Sequence, residues 1–146
     1  METTITGIIA LIKTKMASLT INDQVIFGSV FDYGDGDFKK FPACSVTETG
    51  GKGDVMDTHR NMRTHEFDIK LYQEQSRAGN TKKEAADSMR AITDKVLEAF
   101  DKDKDLSGEV DIIRVVEFDT NFKVAAGTFN FATFKVEVVV LVENHN

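Results

Sequence analysis

The residues from Asp101 to Asp111 have the types and spacing to hold a cation. With Asp103 as the first position of a calcium loop, Asp105 falls third, Ser107 fifth, Gly108 sixth and Asp111 ninth. Oxygen ligands at alternate positions around a glycine turn are what a hard divalent cation needs. Two features oppose this reading. The twelfth position, where a bidentate glutamate should close the shell, is Arg114, and the exit segment Ile112 to Phe118 has the texture of a strand. The sequence therefore favours a solvated helix-to-strand turn in which Asp and Gly supply turn geometry. Calcium held by Asp103, Asp105, Ser107 and Asp111 is the alternative.

Other reactive side chains fail on spacing. His59 and His65 would lie about 20 Å apart in extended chain, too far to share an ion. His65 is expected to be a partly buried histidine, and the remaining histidine, His145, is close to the end of the chain. Cys44 as a nucleophile would need a base and an orienting group, so a small buried strand residue is the better reading. Gly50-Gly51-Lys52-Gly53 lacks the spacing of a phosphate-binding loop, and no helix follows it. The reading is of a chain with no catalytic constellation and no cofactor.

The elements that must position these residues emerge from periodicity. Ile5, Ile8, Ile9, Ile12, Met16 and Leu19 recur at steps of three and four, the stripe of an amphipathic helix. Gln24 to Tyr33 alternates as a strand. The Asp-Gly cluster at 32–37 predicts a hairpin turn, and a returning strand over about 38–48 either lies at an edge or starts after Pro42. A long polar, glycine-rich loop at about 49–61 comes next. His65, Phe67, Ile69 and Leu71 alternate against Glu66, Asp68, Lys70 and Tyr72. A second helix starts near Thr81, with Glu84 at capping-box spacing, and buries Ala85, Met89, Ile92, Val96 and Phe100. Two strands close the chain, about 109–118 and 128–142, and the changed parity at Phe129 and Phe131 predicts a bulge near Ala132-Thr133. The expectation is one α+β domain over 1–146, order αβββαββ, with about five strands in a mostly antiparallel sheet packed by two helices.

Bulk properties narrow the function. A chain of 146 residues buries roughly 70% of the surface it would expose unfolded. A net charge of −6 argues against a general nucleic-acid binder, whose phosphate neutralisation needs clustered Lys and Arg, and no sequence-specific nucleic-acid partner is expected. One cysteine excludes an intrachain disulfide and fits a reducing compartment. The longest apolar run, Val138 to Val142, is far below the ~20 residues of a membrane helix, and the acidic opening Met1-Glu2-Thr3-Thr4 does not read as a signal peptide.

In order and texture the chain resembles the tail terminator proteins of long-tailed bacteriophages. The resemblance rests on the N-terminal helix, the strand entering Phe41-Pro42-Ala43-Cys44-Ser45-Val46-Thr47-Glu48, and the polar loop after it. It continues through the strand Glu66-Phe67-Asp68-Ile69-Lys70-Leu71-Tyr72, the turn Arg77-Ala78-Gly79-Asn80, the second helix and the closing strands. It implies a homo-oligomer, a six-membered ring that stops growth of the tail tube and presents the tail to the head. Its partners would be the tail tube protein and head–tail connector proteins, with DNA passing through the ring. Its place would be the virion, at the head–tail junction, after assembly in the host cytoplasm. The long loop would then be a contact arm, with Gly51, Lys52, Asp54, Met56 and Arg60 as its interface residues. Another structural component of the junction or tail is the alternative, and a calcium-binding module comes after that.

Overall fold

Thr4 opens the first helix, α1 (Ile5–Ser18), by accepting a hydrogen bond on its side-chain oxygen from the Gly7 N–H at 3.0 Å. This satisfies one of the donors that a helix start leaves unpaired. Ile8, Ile12 and Met16 recur at steps of four and are fully buried. The structure, a computed structural model, describes residues 4–32, 42–55, 60–74, 82–106, 108–125 and 129–143.

After α1 the chain makes a minute hairpin of β1 (Thr20–Ile21) and β2 (Gln24–Val25). Asn22 and Asp23, with φ of 53° and 63°, supply the two left-handed residues that such a turn requires. The remaining elements are β3 (Ser29–Phe31), β4 (Ala43–Val55), β5 (Arg60–Glu74), α2 (Lys82–Lys102), β6 (Ile112–Ala125) and β7 (Phe129–Glu143). Strands β3 to β7 form one sheet in the order β3-β4-β5-β7-β6.

The fold is α+β, as expected, but the sheet is mixed and the element order differs. β3 runs parallel to β4, pairing Ser29 with Ala43 and Phe31 with Ser45, so these two strands are not the arms of a hairpin. Of the expected turn at 32–37, all but Asp32 lies outside the described residues. β4 starts directly after Pro42, whose carbonyl accepts from Gly28 N at 2.9 Å. A proline cannot donate to a ladder, and here it stands just before one.

The expected polar loop at about 49–61 is largely strand. β4 continues to Val55 and β5 begins at Arg60, paired residue by residue from Gly50↔Glu66 to Val55↔Asn61. The predicted bulge near Ala132-Thr133 also falls elsewhere. The pairing of β7 with β5 is unbroken, and the irregularities lie on the facing strand β6, between Val115 and Glu117 and between Asp119 and Lys123. A bulge in β7 would disrupt two ladders, whereas β6 is an edge and loses only one.

Both helices cover the same sheet face. The core joins Ile8, Ile12 and Met16 of α1 and Met89, Ile92, Val96 and Phe100 of α2 to Cys44, Val46, Phe67, Ile69, Leu71, Phe134, Val136, Val138 and Ile113. Burying each large apolar side chain is worth roughly 1.5–3 kcal/mol, so this layer dominates stability. Tyr72 departs from its expected place. It is on the row of Glu66, Asp68 and Lys70, yet beside Ala43 it is 1% exposed. Thr81 lies outside the described residues, as does any capping box it makes.

Candidate functional site

The feature that stands away from the core is the far end of the β4–β5 hairpin. β3 pairs with β4 only over Ala43–Ser45, so beyond that point β4 is an edge strand among the described residues. Between Glu48 and Gly50 the register shifts by one residue, placing Thr49 as the extra residue of a bulge. Gly50 has φ +148°, which a side chain would strain. Bulges increase the local twist and re-aim the strand beyond them. Past this bulge Gly51, Lys52, Gly53 and Val55 are all exposed, Val55 to 79%.

This arm is three strands wide. Arg60, Asn61, Met62 and Arg63 of β5 pair with Glu143, Val142, Leu141 and Val140 of β7. Arg60, Arg63 and Leu141 are exposed. Where the arm meets the N-terminal end of α1, Ile5, Glu48, Arg63 and His65 line an open hollow of about 330 Å³. Of the expected interface residues, Gly51, Lys52 and Arg60 are on the exposed arm. Asp54 is on β4 opposite Met62, and Met56 lies outside the described residues.

The acidic segment after α2 is a tight turn. Asp105 accepts at its carbonyl from Gly108 N at 3.0 Å and Val110 N at 3.1 Å. Leu106, buried at 4% exposure, takes φ 47°, and Gly108 takes φ 86°. Two of the carboxylates, those of Asp103 and Asp111, have protein partners. Asp103 is 2.8 Å from the Lys15 ammonium of α1, and that ammonium is 6.0 Å from the centre of the Phe100 ring. Asp111 accepts from Leu141 N at 2.6 Å, joining the turn to β7. Ser107 lies outside the described residues. Arg114, the residue at the twelfth loop position, is on β6 and pairs with Glu137 at 3.0 Å. No group of three or more His, Cys, Asp or Glu that could hold a metal occurs among the described residues.

Cys44 is fully buried, and burial pushes its thiol far above the usual range, so the thiolate that a nucleophile needs is suppressed. His65 is partly buried, 6.4 Å from Phe67 between ring centres; His59 and His145 lie outside the described residues. Gly50 to Gly53 have strand partners Glu66, His65, Thr64 and Arg63, an extended backbone rather than a cradle.

On the sheet face away from the helices, Glu66, Asp68, Lys135 and Glu137 line a hollow of about 260 Å³, and one buried Asp68 oxygen has no hydrogen-bond partner among the described residues. Lys15 was not legible as a partner of Asp103, because 88 positions separate them. The exposure of Val116 and Phe118, 47% and 49%, was equally hidden, since apolar residues on a strand read as core.

No protein-family model and no curated protein matches the chain. Among the described residues no helix is long and apolar enough to cross a membrane.

Proposed function

We propose that the chain is a structural virion protein, a tail terminator whose copies form a ring that caps the tail tube and joins it to the head. The observation that carries this reading is the three-stranded arm. It presents Lys52, Gly53 and Val55 on β4 and Arg60 and Arg63 on β5, and it is a hydrogen-bonded ribbon rather than a catalytic cleft. Contact over an arm of this kind is additive around a ring, so many weak contacts become firm attachment through effective concentration. A net charge of −6 limits adhesion to DNA crossing the ring, by like-charge repulsion.

The test pairs mass measurement in solution with electron microscopy of purified tail tubes incubated with the protein. The expected result is a homo-oligomer seated at one end of each tube. A chain that stays monomeric and leaves tube ends bare would refute the proposal. Oligomers that bind connector proteins but not tubes would move the assignment to another component of the junction.

A further inference from the structure

The sheet ends in two long strands that no other described strand covers: β4 beyond Ser45, and β6 along its whole outer side. Exposed edges are templates for pairing, and proteins ordinarily cover or blunt them. We propose that copies of this chain join head-to-tail through these edges, residues 48–55 of β4 in one copy pairing with residues 112–118 of β6 in the next. The inference rests on the self-assembling role proposed above and names the surface that performs it.

Strand direction is the first support. β4 is antiparallel to β5, β5 to β7 and β7 to β6, so β4 and β6 run in opposite directions. Two copies in the same orientation side by side therefore meet as an antiparallel pair, the arrangement that short connections and strong ladders favour. Each copy has one edge of each kind. A heterologous contact of this type closes into a ring when the rotation fits, and a closed ring leaves no edge unpaired.

Side-chain shape and charge are the second. The β6 edge carries Val116 and Phe118, half exposed where most apolar residues of the sheet are buried. The β4 edge carries Gly50, Gly51 and Gly53, and a Cβ built at Gly50 or Gly53 meets nothing within 4 Å. Large residues on one edge thus face open space on the other. Lys52 and Glu117, both exposed, are on the helix-free face of their strands, where opposite charges in adjacent strands attract.

Cysteine cross-linking tests the contact, and buried Cys44 does not compete for oxidant. Lys52→Cys and Gly53→Cys probe one edge, Val116→Cys and Glu117→Cys the other. Within one copy the two edges are three strand spacings apart, about 14 Å, beyond the ~6.8 Å that a disulfide spans. Mixtures of Lys52→Cys with either β6 variant should give covalent dimers under mild oxidation, each variant alone should stay uncross-linked, and a double variant such as Lys52→Cys/Glu117→Cys should give a ladder of oligomers. Gly53→Cys, on the opposite face from Val116 and Glu117, is the control that should not link. Dimers from a single variant alone would overturn head-to-tail pairing. An oligomer of wild-type size that links in neither Lys52→Cys mixture would overturn the edge contact and leave the ring reading standing. A wild-type chain monomeric at all concentrations would remove both.

Discussion

The ion pair between Lys15 and Asp103 ties the end of α1 to the turn after α2, and its strength decides how that turn is held. The nitrogen and oxygen are 2.8 Å apart, with side chains 15% and 29% exposed. At an effective dielectric of about 20, such a separation corresponds to roughly 6 kcal/mol of gross attraction. Most of that offsets the cost of taking both ions partly out of water, so a net coupling of about 1 kcal/mol is expected, above the median of exposed pairs. Lys15→Met retains an apolar stem beside the Phe100 ring and removes the charge; Asp103→Asn removes the other. Urea unfolding of the two single variants and the double variant forms a cycle. Each single change should cost about 1–2 kcal/mol, equivalent to a few degrees in Tm at this chain length, and the double should cost about 1 kcal/mol less than their sum. Additivity within about 0.3 kcal/mol would mean that no coupling exists. The same variants address calcium. If Asp103 were a ligand, removing the competing ammonium in Lys15→Met would strengthen calcium binding; calorimetry is expected to show no calcium heat in either protein, and a heat that grows in the variant would reinstate the cation site.

Burial and backbone geometry set three further outcomes. Phe67, fully buried at the centre of the sheet, should cost about 3–5 kcal/mol as Phe67→Ala, read from chemical denaturation; a loss under about 1 kcal/mol would mean that the core packs differently. Cys44 should resist a colorimetric thiol reagent in the native protein and react at one equivalent in denaturant, and rapid stoichiometric labelling without denaturant would contradict its burial. Gly108, at φ 86° with open space around it, should cost about 1–2 kcal/mol as Gly108→Ala through backbone strain alone. An unchanged midpoint would show that the turn relaxes at no cost.

How much of this was legible depended on whether a local pattern or a distant partner sets each feature. The stripes of both helices and the alternation at Phe67, Ile69 and Leu71 report burial directly, because each element buries one face and the residue spacing records it. The parallel placement of β3 did not show. Two strands separated by a short Asp-Gly cluster read as a hairpin, and nothing local distinguishes that from a connection that returns in parallel. Phe129 and Phe131 suggested a bulge in β7 for a related reason. The irregularity that meets them is on β6, since a central strand bonded on both sides keeps its register and an edge strand yields.

The arm is the sharpest case, because composition argued against it. Glycine lowers strand preference, and Thr49 to Gly53 contains three glycines, so the segment reads as loop. Yet β5 beside it, Arg60 to Glu74, is bonded to β7 along its whole length, and a strand already fixed on one side offers its other side as a template. Each residue that joins gains a ladder bond without further loss of freedom in the partner, which outweighs a propensity deficit of about 1 kcal/mol per glycine at most. The glycines then serve the edge they weaken. They leave β4 with few side chains facing outward, a surface that another strand can approach, where a row of valines would have demanded burial within the chain itself.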